Sequence, residues 1–201
     1  MRNIAVFVSG SGSNLQALID SCNSGFVPAE IKLVLSSRED AYALVRAKKA
    51  GIESLCLRPA DFSGEEDYSE EILRQVKKRN IDIICLAGFL SKLGKNIVRE
   101  YKNRILNIHP ALLPKFGGKG MYGMRVHREV IKSGEKISGC TVHFVDENYD
   151  TGPIIMQKKV PVKKGEKAEK LAARVLKEEH RLYPKALKKV IEEKRKKERK
   201  L

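Results

Sequence analysis

Residues 4–20, IAVFVSGSGSNLQALID, carry a short apolar run, a glycine-rich turn and a helix-like segment in immediate succession. The apolar run is rich in β-branched side chains, which favours a strand. A strand, a tight turn and a helix in this order are typical of the first unit of an α/β fold. Ligands of such folds bind beyond the carboxyl ends of the strands, which is where this turn would lie.

The same alternation continues through the first 110 residues. Apolar, β-branched runs predict strands at Ile4–Val8, Ile31–Leu35, Ser54–Leu57, Ile81–Ala87 and Arg104–Ile108. The segments between them predict helices near Asn14–Cys22, Ala41–Ala50, Tyr68–Arg79 and Gly94–Tyr101. We therefore expect an α/β fold with a mostly parallel, twisted sheet and helices on both faces.

The pattern changes after His109. Residues 110–127 are rich in Gly and Pro and predict a loop. Two further strands, Gly139–Val145 and Ile154–Val162, are expected to form an antiparallel pair toward the C-terminus. Lys167–Glu179 predicts a helix, and a last helix is expected after Pro184. We expect one domain over residues 1–201, with halves 1–110 and 111–201.

The amino-acid composition limits the kinds of protein that this chain can be. With 201 residues and 42 % hydrophobic side chains, the chain can bury a core without a metal ion or a disulfide. The four cysteines are scattered and form no C-x-x-C pair, so no zinc site is expected and a reducing compartment is favoured. The N-terminus has no signal-peptide pattern, and no apolar run of about 18 residues occurs. We therefore expect a cytoplasmic protein with no membrane span.

The chain is strongly basic, since Lys and Arg exceed Asp and Glu by 15. The last fourteen residues, KKVIEEKRKKERKL, hold eight basic and three acidic side chains and account for +5. Such a balance suits RNA or DNA, and it equally suits anionic small molecules such as phosphates. The tail fits a solvated helix end as well as a binding arm.

The turn Ser9–Asn14 contains two glycines before a predicted helix. Free backbone N–H groups at a helix start, together with the helix dipole, favour a phosphate. Leu15 stands where the dinucleotide fingerprint needs a third glycine, and no P-loop lysine follows. A mononucleotide-like phosphate therefore fits better than NAD or ATP. A capped helix start without any ligand is the alternative that this segment leaves open.

Asn107 and His109 are two residues apart at the end of a predicted strand, and side chains at that spacing share one face. Pro110 ends the strand. The pair would converge where the fold binds ligands. There an amide can donate to a developing oxyanion, and an imidazole can exchange a proton near neutral pH. Taken alone, a histidine before a proline is more often structural than catalytic.

Asp150 precedes Thr-Gly-Pro on a predicted tight turn, where an aspartate commonly has a local structural role. A functional role needs a partner. A carboxylate close to His109 would raise the pKa of the imidazole and keep it cationic, as a general acid requires. His143 alternates with apolar neighbours, which fits a buried strand residue. His127 is expected on the loop or the helix rim.

Five stretches in this order resemble the glycinamide ribonucleotide formyltransferase family: VSGSGSNLQALID, LAGFLSKL, RILNIHPALLPKF, GCTVHFVDENYDTGPII and KEEHRLYP. The resemblance covers nearly the whole chain and implies a mostly parallel, Rossmann-like sheet. It implies transfer of a formyl group from 10-formyltetrahydrofolate to the amine of glycinamide ribonucleotide in purine synthesis, without a metal. Residues 1–110 would then be a mononucleotide-binding-like half, and residues 111–201 a folate and catalytic half.

The resemblance also implies roles for residues. The catalytic trio would be Asn107, His109 and Asp150. Contacts to the ribonucleotide would come from Gly12, Ser13, Asn14 and Glu179, the last of them at the ribose. The wall that holds the pterin of the folate would comprise Leu90, Ser91, Lys92, Leu93, Asn107, Val145 and Asp146. Partners would be small molecules rather than nucleic acid or membrane, and the protein would be a monomer or a homodimer.

The chain departs from the family pattern in two places. A folate-contacting arginine of familiar members falls at Glu65, which puts that contact in doubt. The segment Phe116–Val126 is longer than in some members and adds Lys119 and Arg125. It fits a phosphate-gathering or lid loop and a longer surface loop equally well.

Three rival functions are compatible with parts of the sequence. Methionyl-tRNA formyltransferase shares the Asn-x-His and late Asp arrangement and would explain the basic charge, but it usually carries an extra C-terminal domain. Formyltetrahydrofolate hydrolase resembles the same core and normally has an N-terminal regulatory domain. An RNA-binding module would need aromatic positions among the basic residues, whereas only 6 % of residues are aromatic and they are scattered.

Overall fold

The computed structural model describes residues 1–199, in which one seven-stranded sheet is surrounded by six α-helices. The strands are β1 (Arg2–Val8), β2 (Ala29–Ser36), β3 (Ser54–Cys56), β4 (Ile83–Leu86), β5 (Ile105–His109), β6 (Ile137–Phe144) and β7 (Ile154–Pro161). The helices are α1 (Ser13–Asn23), α2 (Tyr42–Lys49), α3 (Glu65–Lys78), α4 (Lys95–Glu100), α5 (Met124–Lys132) and α6 (Ala168–Glu198), with a short 3₁₀ turn at Pro59–Asp61.

The strand order is β3-β2-β1-β4-β5-β6-β7. Strands β1 to β5 are parallel to one another, whereas β6 is antiparallel to both of its neighbours. The predicted sheet, mostly parallel with antiparallel strands toward the C-terminus, is confirmed. The order reverses between β1 and β4, so the connections that follow these strands leave on opposite faces of the sheet and open a crevice at that point.

Alternate side chains of β1 contribute to two separate cores. Ile4, Val6 and Val8 pack with residues of α1, α2 and α6, whereas Ala5 and Phe7 pack with residues of α3 and α4. All five are fully buried. Burial on both faces explains why the strand reads as a continuous apolar run, and it confirms the helices expected on both faces of the sheet.

Two of the helix predictions are wrong in extent. A single helix, α6, spans Ala168–Glu198 where two were expected, and Pro184 lies inside it. A proline removes one helical hydrogen bond and favours a break. Here Tyr183, Pro184 and Leu187 lie on the buried face of α6, and the packing of that face outweighs the local tendency of proline to break a helix. Helix α5 was not expected at all: it begins at Met124, inside the predicted loop 110–127, and continues to Lys132.

The basic tail forms the last turns of α6. Glu198 pairs with Arg2 of β1. Burial lowers the pKa of Lys194, and the neighbouring Arg104 and Arg2 add to the effect. The described part of the tail is therefore a helix end attached to the sheet; Lys200 and Leu201 lie outside the described residues. Across residues 1–199, no helix has the length and apolar character needed to cross a bilayer.

The turn between β6 and β7 has a strict steric requirement at Gly152. A Cβ atom at this position would overlap the backbone carbonyl oxygen of Phe144. We expect Gly152→Ala to lower the free energy of unfolding by about 3 kcal/mol or more, because neither backbone can move without breaking sheet contacts. Urea unfolding monitored by circular dichroism measures the change.

Gly64→Ala is the matched control for this variant. No atom lies within 4 Å of a Cβ built at Gly64, and its φ of 175° is extended. It should cost no more than about 1 kcal/mol, the size of an N-cap effect. Equal losses in the two variants would contradict the steric argument.

Candidate active site

A cavity of ≈ 670 Å³ opens at the carboxyl ends of β1, β4 and β5, where the strand order reverses. Most of its lining comes from the glycine-rich turn, the loop after β4, the end of β5, the start of α5 with the loop before it, the β6–β7 turn and the N-terminal third of α6; Val98 of α4 and His143 of β6 add to it. Every site residue expected from the sequence borders this one cavity. The structure thus brings together residues that are up to 167 positions apart, from Gly12 to Glu179.

Strand β5 carries Asn107, and its pairing with β6 places His143 directly opposite. The amide Nδ2 of Asn107 lies 3.1 Å from His143 Nε2. His143 Nδ1 lies 2.8 Å from the carbonyl oxygen of Phe144. Because a carbonyl oxygen only accepts, Nδ1 carries a proton, and Nε2 faces both the Asn107 amide and the Asp150 carboxylate. The second N–H of the Asn107 amide is then left for a ligand.

Both ring nitrogens of His109 face protein acceptors. Nε2 donates to the carbonyl oxygen of Phe116 at 2.8 Å, and Nδ1 lies 3.5 Å from Asp150 Oδ2. Burial lowers the pKa of His109 below its ordinary value, and Asp150 and the Phe116 carbonyl oppose this without cancelling it. The expected rise in the His109 pKa is therefore wrong for the protein without substrates, because removal from water outweighs the nearby carboxylate.

Asp150 lies between the two histidines. Its φ of 58° is in the left-handed region, which Asp tolerates better than most residues. Oδ2 accepts the Gly118 N–H at 2.9 Å, and Oδ1 lies 3.5 Å from His143 Nε2. Burial raises the pKa of the carboxyl, but the contacts with His143, His109 and the Gly118 N–H outweigh burial and bring the pKa below its ordinary value. Asp150 is therefore ionised at neutral pH.

At the other end of the cavity, the glycine-rich turn meets α6. Gly12 precedes α1 with φ 71°, and a Cβ there would lie 2.6 Å from the Cβ of Ala43, so only glycine fits. Asn14 donates from Nδ2 to Glu179 Oε2 at 2.7 Å, and both side chains are buried. Burial raises the pKa of Glu179, against the effect of Asn14. Within residues 1–199 nothing donates to Asn14 Oδ1, which leaves an acceptor for a ligand.

The loop after β4 forms an apolar wall of the cavity. Leu93 is buried in the core beneath it, and Phe89 packs against Phe7 with ring centroids 5.4 Å apart. The backbone N–H of Leu90 donates to Ser9 Oγ at 2.9 Å, which ties this loop to the glycine-rich turn. The Leu90 side chain itself is 56 % exposed. The wall can therefore offer apolar surface to a flat ring system.

The rim of the same wall is polar. Lys92 donates to Glu65 Oε1 at 2.9 Å, so the residue that replaces the family arginine pairs with the lysine of the expected folate wall. Asp146 accepts from Thr151 Oγ1 at 2.8 Å and closes the β6–β7 turn. The backbone of Val145 donates to the carbonyl oxygen of Ile105 at 2.9 Å, which holds the start of that turn against β5.

Two histidines contribute more than the sequence indicated. His143 is buried on its strand, as expected, and it also contacts Asp150 and borders the cavity. That role follows from its register with Asn107, which no local pattern reveals. His127 is buried at 5 % exposure on α5, so its predicted place on a rim is wrong; the helix turns Val126, His127 and Val130 inward.

The segment Phe116–Val126 forms one side of the cavity. Gly118, Gly120 and Met121 border it, whereas Lys119 and Arg125 are exposed and do not. Bordering the cavity is compatible with a lid and with a longer surface loop, so both interpretations stay open. Gathering of phosphate by its two cations has no support in this arrangement.

Burial of His127 makes the free energy of unfolding depend on pH in the acid range. Burial lowers its pKa from 6.5 to about 4, with His109 adding to the effect. Between these values the unfolded chain binds a proton that the folded protein does not, so the stabilising contribution is full above pH 6.5 and is lost as the pH falls toward 4. We expect His127→Gln to reduce the acid-induced loss of unfolding free energy by about 1–2 kcal/mol.

Urea unfolding at pH 7 and pH 4.5 measures this contribution. His180→Gln, at a partly buried histidine of α6, is the control and should change the pH dependence less, since its pKa shift is smaller. A His127→Gln profile that is parallel to the wild-type profile would show that His127 does not carry the effect.

Comparison with known proteins places the chain in a family. It is 40 % identical to the phosphoribosylglycinamide formyltransferase of Escherichia coli (strain K12) over 182 residues, which are 90 % of this chain and 84 % of that protein. It is 44 % identical to the trifunctional purine biosynthetic protein adenosine-3 of Drosophila melanogaster over 188 residues, which are 92 % of this chain but 14 % of that much longer protein.

Solved structures and a family model agree with these relatives. The fold matches glycinamide ribonucleotide transformylase 1 from Symbiobacterium toebii with a TM-score of 0.89 and 41 % identity, over 94 % of this chain and 86 % of that one. Phosphoribosylglycinamide formyltransferase from Brucella melitensis matches with a TM-score of 0.86 and 45 % identity, over 94 % of each chain. Residues 2–187 match the family model described as formyl transferase. The chain therefore belongs to the formyl transferase family.

Proposed function

We propose that the protein transfers the formyl group of 10-formyltetrahydrofolate to the amine of glycinamide ribonucleotide, giving N-formylglycinamide ribonucleotide and tetrahydrofolate. The observation that carries the proposal is the arrangement of one cavity: Asn107, His109 and Asp150 lie between a phosphate-type turn and an apolar wall. Relatives that are 40 % and 39 % identical, and of which the chain covers 84 % and 86 %, bear the name of this activity.

The two ends of the cavity suit the two substrates. The phosphate of the ribonucleotide would lie against the backbone at Gly12 and Ser13, where the dipole of α1 favours an anion. A ribose hydroxyl would donate to Glu179 or to the free Oδ1 of Asn14. The pterin of the folate would lie along residues 90–93 and 145–146, which places the formyl group near Asn107.

The chemistry needs no covalent enzyme intermediate. The neutral amine attacks the formyl carbon, and the carbonyl electron pair moves to the oxygen. The free N–H of Asn107 and the Nε2–H of His109 stabilise that oxygen; a donor of this kind contributes about 3–4 kcal/mol to lowering the barrier. The bond from carbon to the folate N10 then breaks, the attacking nitrogen loses a proton, and N10 gains one, so protons balance.

His109 and Asp150 have linked roles in these steps. In the protein without substrates, the Nε2–H of His109 is directed at the Phe116 carbonyl, so the formyl oxygen must replace this acceptor. Asp150 is ionised beside Nδ1 and stabilises the imidazolium whenever His109 holds the proton in transit. A cytoplasmic location and a monomeric or homodimeric state stay predictions.

A spectrophotometric assay of formyl transfer tests the proposal. Purified protein is given 10-formyltetrahydrofolate with glycinamide ribonucleotide, with initiator methionyl-tRNA, or with no acceptor. We expect turnover when glycinamide ribonucleotide is the acceptor, and none with the tRNA or without an acceptor. Turnover with only the tRNA would identify a different formyltransferase, and folate consumption without an acceptor would identify a hydrolase. Silence with all three from folded protein would overturn the proposal.

A further inference from the structure

Three carbonyl groups of the glycine-rich turn are held from outside the cavity. The bonds are Ala43 N–H to Gly10 O at 3.1 Å, Arg46 Nε to Ser11 O at 2.9 Å, and Gln16 N–H to Gly12 O at 2.9 Å. In a trans peptide the C=O and N–H groups point in opposite directions. Each bond therefore directs the N–H of the next residue away from its donor, and those residues are Ser11, Gly12 and Ser13.

These three N–H groups are available to a ligand. Among the described residues none of them has a backbone or side-chain acceptor. Ser11, Gly12 and Ser13 all border the cavity. Successive unpaired N–H groups before a helix are the arrangement that binds a phosphate. The direction of each peptide therefore decides whether an anion meets an N–H or a carbonyl oxygen.

Only one of the three carbonyls is held by a side chain. The donors from Ala43 and Gln16 are backbone groups of α2 and α1, whereas the carbonyl of Ser11 depends on Arg46. Glycines on either side of Ser11 give the Ser11–Gly12 peptide unusual freedom to rotate. Rotation would present the Ser11 oxygen to an anion and repel it. Arg46 therefore holds the one peptide of the turn that the helices leave free.

Arg46 is itself well fixed for this role. Its Nη1 donates to Gln16 Oε1 at 3.1 Å, and its guanidinium lies 5.1 Å from the ring centroid of Tyr42. Its δ carbon would be 3.3 Å from a Cβ at Gly12, so the side chain packs directly on the turn. Both acceptors of the guanidinium are neutral, and within residues 1–199 no carboxylate forms an ion pair with it.

We propose that Arg46 is a positioning residue for the phosphate of the ribonucleotide, which acts by holding the Ser11–Gly12 peptide with the Gly12 N–H directed to the cavity. Arg46 does not border the cavity and touches no reacting atom. The inference rests on the proposed function for the identity of the ligand. The phosphate contact itself can be tested without formyl transfer.

Calorimetric binding to the full chain tests the inference, with ribose 5-phosphate, glycinamide ribonucleotide and 5-formyltetrahydrofolate as probes. We expect Arg46→Met to weaken the binding of both phosphate-bearing probes by about 10- to 100-fold in Kd, as for a lost hydrogen bond to a charged group. Binding of the folate should stay within about twofold. In turnover, KM for the ribonucleotide should rise while kcat stays close to wild type, because the phosphate is bound alike in ground and transition states.

Two further variants separate the mechanism from its alternatives. Arg46→Lys keeps a donor for Ser11 and should restore most of the phosphate affinity. Lys49→Met removes a charge from the same helix without touching the turn, and it should change phosphate binding less than about twofold. Equal losses in Arg46→Met and Lys49→Met would show an effect of net charge and overturn the inference.

Three other outcomes would also overturn the inference. They are unchanged phosphate binding in Arg46→Met, equal loss of folate binding in that variant, and wild-type protein that binds no phosphate-bearing probe. Wild-type protein that binds ribose 5-phosphate but does not formylate the ribonucleotide would instead contradict the proposed function and leave Arg46 to be judged by the binding data.

Discussion

His109→Ala is expected to lower kcat for formyl transfer by about 10²- to 10⁴-fold, while KM for each substrate should change by only a few fold. The imidazole is almost fully buried, with Nε2 directed at a carbonyl oxygen and Nδ1 at the ionised Asp150. The proton on Nε2 reaches the formyl oxygen once that oxygen replaces the Phe116 carbonyl as its acceptor. Alanine removes that donor and the group that moves the proton, and both act in the transition state rather than in binding.

Single-turnover kinetics and equilibrium binding of glycinamide ribonucleotide measure the two effects separately. His180→Ala is the matched control, since His180 lies on α6 outside the cavity lining, and its kcat should stay near wild type. Near-wild-type kcat in His109→Ala would remove the imidazole from the chemistry. A loss of binding as large as the loss of kcat would assign it to substrate binding.

Asp150→Asn is expected to lower kcat by about 10²- to 10³-fold with little change in stability. Asparagine has the shape of aspartate and tolerates the same left-handed φ, so the turn should be kept. Its amide carries no charge. The carboxylate is the group that opposes the effect of burial on the pKa of His109, so that pKa should fall further in the variant.

Asp150→Asn should also shift the pH dependence of kcat in a definite direction. If His109 acts in its protonated form, a lower pKa leaves less of that form at any given pH, and the alkaline limb of the kcat profile, where activity falls as the pH rises, moves to lower pH. Titration of the His109 ring protons by NMR measures the shift directly. An unmoved titration curve together with an unchanged kcat would show that Asp150 does not act through His109.

Much of the fold could be predicted because its signals are local. Burial on both faces gives β1, β2, β4 and β5 apolar runs, and the strands found differ from the predicted ones by only a few residues at their ends. The two misjudged helices show the limit of such signals. Pro184 acts against helix formation locally, and the packing of α6 on the sheet overrides it. The glycines before Met124 precede α5 and do not interrupt it, so the error there was to extend the loop over the start of this helix.

The candidate site was foreseeable where it depends on spacing along the chain. Asn107 and His109 lie on one side of the sheet because side chains two residues apart on a strand must do so. The glycine-rich turn that contains Gly12 could be recognised as well, whereas the conformation and the close contact with Ala43 that exclude a side chain at Gly12 are features of the fold. The positions of Asp150 and Glu179 in the site came from family resemblance, since nothing in their immediate neighbours specifies a partner.

Local sequence accounts for the strands, the glycine-rich turn and the paired Asn107 and His109, because backbone preference and periodicity are properties of neighbouring residues. The tertiary structure decides which residues distant in the chain come into contact and which groups are removed from water. The β5–β6 register brings His143 to Asn107 and Asp150, and α2 lays Arg46 over the turn. Burial reverses the expected direction of the His109 pKa, because the cost of removing an imidazolium from water depends on everything packed around it.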